Sequence, residues 1–173
     1  DWGLNAFGVL RKTPVKAPAA ETPDLRGATK LNGRMLYQSL ESFGLAYGPA
    51  FQRIKNARVN GVAAEAKLSD APAPVAGLML DPTVFDSAMH AVFPLIRRQA
   101  GEGALRPGVS FLPVRIGRIR LYASETPVSR AVVRLTKLSP RGAEASIDLI
   151  GEDGALVAAA SGVRLKAVVL NRS

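Results

Sequence analysis

Periodicity along this sequence points to an α+β fold, and three observations carry that reading. Residues 81–99 form a helix with a broad apolar face, Asn60-Gly61 is a hairpin turn between two short apolar runs, and almost everything after residue 108 breaks into strands. A helix so apolar is buried on most sides, and a mostly antiparallel sheet of about five to seven strands is the layer available to bury it.

In chain order, residues 1–12 read as one strand through Trp2, Leu4, Ala6, Val9 and Leu10. Residues 13–30 carry Pro14, Pro18 and Pro23 among alanines without periodicity, so they read as a linker. The first strand is therefore expected to end a unit that lies mostly outside this sequence, and Asp1, in place of an initiator methionine, suggests an excised piece. Residues 31–170 form the main unit. Within it Leu36, Leu40 and Phe43 recur at helical spacing, and Gly44 sits where a helix stops. Tyr47-Gly48-Pro49-Ala50-Phe51 is a tight turn, with φ preset at Pro49 and close backbone approach permitted at Gly48. Residues 51–59 and 62–68 are strands, and 70–77 is a loop of Pro and Ala.

The helix over 81–99 opens with Pro82 and shows Val84, Phe85, Ala88, Met89, Val92 and Phe93 on one face. Pro94 is expected to kink or restart it. After a loop at 100–108, strands are expected at 109–112, 116–122, 129–138, 143–150 and 155–168, with a bulge near Gly117.

Composition narrows function. The chain has 173 residues, 47% hydrophobic and 21% charged, which fits one globular domain. It has no cysteine and one histidine, so disulfides, thiolate chemistry and a multi-histidine metal site within the chain are excluded, and a cytoplasmic location is expected. No apolar run reaches the ~20 residues of a membrane span. A net charge of +9 favours anionic partners, but with 6% aromatics and no recognisable nucleic-acid module, nucleic acid is not expected among them.

Chemistry concentrates in Leu80-Asp81-Pro82-Thr83-Val84-Phe85-Asp86-Ser87-Ala88-Met89-His90, where Asp86 and the sole histidine stand four residues apart and share a helix face. Taken alone, Asp86 reads as a solvated or capping carboxylate, His90 as a satisfied core histidine, and Tyr47-Gly48-Pro49 as a turn. Arg97-Arg98 and Arg115, Arg118 and Arg120 read as a solvated face.

Three motifs in order change the weighting. Gly44-Leu45-Ala46-Tyr47-Gly48-Pro49-Ala50-Phe51 resembles the GYxYGPxF motif of polyketide synthase dehydratase domains. Asp86-Ser87-Ala88-Met89-His90 resembles their DxxxQ/H motif, and Phe111-Leu112-Pro113-Val114 resembles their LPF-type strand. The resemblance implies a hot-dog fold, a long central helix wrapped by an antiparallel sheet, and specifically the C-terminal half of a double hot-dog. Trp2 to Leu10 resembles the last strand of the other half. Where the family usually has His-Pro, this chain has Asp81-Pro82, and the HxxxGxxxxP motif of the first half has no counterpart here.

What the resemblance implies is removal of water from a β-hydroxyacyl thioester on an acyl carrier protein, giving an enoyl thioester. Asp86 would be the acid, kept protonated by an apolar site. His90 would orient it. Tyr47, Gly48, Pro49, Phe51, Leu112 and Pro113 would bind substrate or shape the pocket wall. No cofactor of its own is implied, since the substrate rides on the carrier's phosphopantetheine. The implied partners are the N-terminal hot-dog half, the carrier protein, for which the arginines could be a docking surface, and a second copy of the chain by self-association. Since His90 is taken, the chain alone is expected to be nearly inactive. Two other functions fit the residues: a hot-dog acyl-thioester hydrolase with a water-activating carboxylate, and a non-catalytic acyl- or carrier-binding module.

Overall fold

Burial alternates along residues 142–149, putting Ala143, Ala145, Ile147 and Leu149 on the core side of a strand, β6 (Gly142–Gly151). The computed structural model describes residues 6–12, 15–69, 77–101 and 109–169. Around β6 stand β1 (Thr29–Asn32), β2 (Ile54–Asn60), β3 (Ala63–Leu68), β4 (Val109–Leu121), β5 (Val128–Ser139) and β7 (Leu156–Val169). They form one sheet in the order β1-β2-β3-β5-β6-β7-β4, and every neighbouring pair is antiparallel. Among the described residues three α-helices, α1 (Gly33–Ser42), α2 (Pro82–His90) and α3 (Val92–Ala100), and a short 3-10 turn at Pro49–Phe51 complete the fold.

The apolar helix is present in two pieces. Val84, Phe85, Ala88 and Met89 of α2, then Val92, Phe93, Leu95 and Ile96 of α3, are buried against β3, β5 and β6. The pieces meet at Ala91 (φ −69°, ψ −7°). Pro94 accounts for this, because it lacks the N–H that would bond the carbonyl four residues back, at His90. The restart expected at Pro94 is therefore felt three residues earlier.

Residues 109–121 make one edge strand instead of the two expected, and the register shift falls between Pro113 and Arg115, not at Gly117. Pro113 has no N–H to give to the ladder, so the irregularity forms there. Gly117 instead permits a close approach of β7, since a Cβ on it would lie 3.0 Å from the Ser161 carbonyl oxygen.

Among residues 1–12, the first five lie outside the described residues, and 6–12 are exposed and carry no strand, having no described strand beside them. The linker boundary at residue 30 also moves, because Thr29 and Lys30 pair with Val59 and Arg58 in β1–β2. Residues 15–28 have no helix or strand but are tied to the sheet. Leu25 is buried, and its carbonyl accepts from Arg58 Nη2 at 3.3 Å. Arg134 Nη2 donates to the Glu21 carbonyl at 2.8 Å, and Asn60 Nδ2 donates to the carbonyls of Asp24 and Arg26. Side-chain donors thus satisfy backbone that no ladder reaches.

At the far edge the core face is left uncovered. Ile116 and Ile119 of β4 oppose Val163 and Ala160 of β7, and antiparallel partners share a face. Val163 and Ala160 belong to the core, whereas Ile116 and Ile119 are 39% and 45% exposed.

Candidate functional site

The start of α2 sets the site. Asp81 caps the helix: its Oδ1 accepts from the Thr83 N–H at 2.8 Å and from Thr83 Oγ1 at 2.7 Å, with Pro82 in the first helical turn. One turn further on, Asp86 Oδ2 lies 3.1 Å from His90 Nε2. The His90 side chain is 1% exposed and that of Asp86 is 30% exposed. The carboxyl therefore reaches the surface while the ring beneath it does not.

Aromatic residues close over the imidazole. The Tyr47 ring packs on it at a centroid distance of 3.9 Å, and Tyr37 meets it edge-on at 5.7 Å. Tyr37 and Tyr47 touch at 6.4 Å. The Phe51 carbonyl ties this box to both helices: it accepts from Ser87 Oγ at 2.7 Å and from the Tyr37 hydroxyl at 3.3 Å. The Tyr37 hydroxyl in turn accepts from the Ile54 N–H at 3.1 Å, and Gln52 Nε2 donates to the Tyr47 carbonyl at 2.6 Å. Tyr37 and Tyr47 also line a cavity of about 420 Å³ with Arg34, Gln38 and Gln52.

This arrangement can hold a proton in either of two ways. An ionised Asp86 accepts from Nε2–H, and a protonated Asp86 donates to a bare Nε2, across the same contact. Among the described residues no cluster of three or more His, Asp or Glu stands ready to hold a metal.

Of the residues singled out from sequence, the structure brings Asp86, His90, Tyr47 and Phe51 together. Gly48 and Pro49 are exposed and open the short 3-10 turn Pro49–Phe51. Gly48 has φ −70° and open space where a Cβ would stand, so the close approach expected there is not made. Leu112 and Pro113 lie on β4, at the opposite end of the sheet order from β1 and β2, and neither lines the Tyr47 cavity. Arg98 bonds Thr29 Oγ1 at 3.2 Å, and Arg97 and Arg98 occupy the last turn of α3, where positive charge suits the helix dipole. Arg115, Arg118 and Arg120 are exposed along β4. Sequence reading passed over Tyr37 and Ser87. The signal for Tyr37 was its place beside Leu36 on the apolar face of α1; Ser87 carried none.

Burial pushes the Tyr47 phenol up to about 12, helped by the charge of Asp86 and then by Tyr37. Burial also raises Tyr37, against the bond from the Ile54 N–H. A folded-state value above the unfolded one, near 10, means that the fold favours neutral Tyr47. That contribution is whole below pH 10 and is lost as pH rises toward 12. Tyrosinate absorbance followed against pH should show late ionisation from both Tyr37 and Tyr47, and Tyr47→Phe should reduce its amplitude by one tyrosine; a variant with the late amplitude unchanged would place that ionisation elsewhere.

Similarity to known proteins runs along nearly the whole chain. A family profile described as polyketide synthase dehydratase N-terminal domain matches residues 15–171. The polyketide synthase GfsA of Streptomyces halstedii is 31% identical over 175 residues, covering 96% of this chain and 2% of that protein. A mycocerosic acid synthase-like polyketide synthase of Mycolicibacterium smegmatis is 28% identical over 167 residues, covering 92% of this chain and 8% of that one. Among solved structures, a trans-AT PKS dehydratase domain from Brevibacillus brevis superposes with a TM-score of 0.75 at 24% identity, over 92% of this chain and 56% of that chain. The dehydratase domain of RzxB from Pseudomonas fluorescens gives 0.73 at 25% identity, over 87% and 54%. The antiparallel sheet around a central helix is thus the hot-dog fold of these domains. The chain spans a few per cent of the synthases and just over half of the solved dehydratase domains.

Proposed function

This chain belongs to the polyketide synthase dehydratase family, and on that premise we propose that it is the acid-bearing, C-terminal half of a dehydratase domain. Its substrate is a β-hydroxyacyl thioester carried on the phosphopantetheine arm of an acyl carrier protein. A base removes the α-proton, the bond from the β-carbon to oxygen breaks, and Asp86 gives its proton to the departing hydroxyl. The products are water and an enoyl thioester. The observation that carries this reading is the Asp86 carboxyl, partly exposed and bonded at 3.1 Å to a ring that is sealed in by Tyr37 and Tyr47. His90 holds the carboxyl in place as the proton leaves and returns.

With its one imidazole buried and engaged, the chain needs a base from a second unit. The matched profile is described as N-terminal, but the HxxxGxxxxP motif is absent and the acid-bearing motif is present, which favours the second half. The uncovered row at Ile116 and Ile119 supports a further hot-dog packing beside β4, because apolar strips of that kind mark contact surfaces. A net charge of +9 suits an acidic carrier. A cytoplasmic location belongs to the same proposal, on the strength of the family; separately, no described helix is long and apolar enough to cross a membrane.

The test compares the chain alone with the chain joined to a histidine-bearing first half, on a β-hydroxyacyl thioester. Lacking the base, the chain alone should turn over about 10²–10⁴-fold more slowly. Equal turnover by the two would overturn the two-part reading.

A further inference from the structure

Arg53 stands just ahead of β2 and is 4% exposed. Its Nη2 donates to the Ser69 carbonyl at 3.1 Å, its Nη1 donates to Thr83 Oγ1 at 3.3 Å, and Nη1 lies 3.6 Å from Asp81 Oδ2. Its Nε is buried without a partner. Asp81 therefore divides its two oxygens, Oδ1 capping α2 and Oδ2 facing the guanidinium. A loose ion pair between a buried, imperfectly satisfied guanidinium and a half-buried carboxylate is a poor source of stability, since well-packed apolar residues would serve as well or better. What it does supply is orientation.

The orientation bears on Asp86. Arg53 lies two residues after Phe51, whose carbonyl takes the Ser87 hydroxyl. The segment from Tyr47 to Ile54 thus grips α2 at two levels, at Asp81 and Thr83 through Arg53 and at Ser87 through Phe51. Asp86 lies between these levels. Two grips on one helix fix its rotation as well as its position. We propose that Arg53 and Asp81 are a positioning pair, which sets the rotation of α2 against the Tyr47 turn and so aims the Asp86 carboxyl. The consequence for turnover rests on the dehydratase reading; the geometric claim does not.

His90 is the chain's only histidine, so its ring resonances are assigned unambiguously and follow both the bond to Asp86 and the fit of α2 against the Tyr47 turn. Asp81→Asn removes the charge and keeps a good capping oxygen. Arg53→Met removes the guanidinium, and Arg53→Lys retains a charge. In the full chain, Asp81→Asn and Arg53→Met should move the His90 ring resonances in the same direction as Asp86→Asn does, and Arg53→Lys should move them less. In the intact dehydratase, the first two variants should lower kcat about 10- to 100-fold with KM unchanged, the scale set by a misplacement of about 1 Å. If Arg53→Met does not fold, Asp81→Asn carries the test. Unmoved resonances in folded Asp81→Asn would overturn the pair. So would moved resonances with an unchanged kcat, provided that Asp86→Asn abolishes turnover. Should Asp86→Asn leave turnover intact while Asp81→Asn still shifts the ring, the reaction assignment falls and the positioning pair stands.

Discussion

Asp86→Asn should reduce dehydration by the intact domain about 10²–10⁴-fold and leave the fold in place. The two side chains have nearly the same shape, and the asparagine oxygen can still accept from His90 Nε2, so the 3.1 Å contact survives in one of its two forms. What is lost is the proton that, on the proposed reading, goes to the departing hydroxyl. Because the side chain is already 30% exposed, the cost in stability should stay within about 1 kcal/mol. Enoyl thioester formation followed by mass spectrometry, beside a thermal unfolding curve, separates the two effects. A folded variant that still forms enoyl product at the original rate would take the acid's role away from Asp86.

Gly33→Ala is expected to be the most damaging glycine-to-alanine change among the described residues. A Cβ there would run into the Ile54 carbonyl oxygen and lie 3.0 Å from that of Lys55. Both obstacles are backbone of β2, so no side chain can swing aside. Relief requires moving α1 away from β2, which also pulls Tyr37 from the Ile54 N–H and from the Phe51 carbonyl. Destabilisation of about 3 kcal/mol or more follows from overpacking against a rigid neighbour. Met35→Ala, two residues along the same helix and 68% exposed, should stay within about 0.5 kcal/mol. Chemical denaturation of the two variants checks the contrast. Equal midpoints would mean that α1 does not press on β2 through Gly33. The damage should also reach the site, since Tyr37 braces the rings over His90.

Much of this protein could be read from neighbours in the chain. The pairing of Asp86 with His90 was legible because helical geometry alone puts residues four apart on one face. The stop at Gly44 was equally local, and its φ of 86° is one that a side chain would resist. The hairpin of β2 and β3 and the antiparallel character of the later strands follow from short turns, which can join strands in no other sense, although the turn falls one residue later than expected, at Gly61-Val62, with Asn60 still paired to Ala63. Pro94 was visible as a disturbance, although its effect lands at Ala91 because the lost hydrogen bond points backward. The two strands expected within 109–122 merged because an edge strand tolerates Pro113 as a bulge.

The contact between Asp86 and His90 and the apolar helix that bears them were already implied by spacing, a property of residues within a turn or two of one another. Closure of the site was not. Ser87 reaches Phe51 across 36 positions, Arg53 reaches Thr83 across 30, and Tyr37 reaches Ile54 across 17. Contacts at such separations depend on how the sheet curls and which strands meet, and no periodicity encodes that. Folding chose Tyr37, Ser87 and Arg53 as companions of Asp86 because burial required their polar atoms to find partners, and the partners lay on other elements.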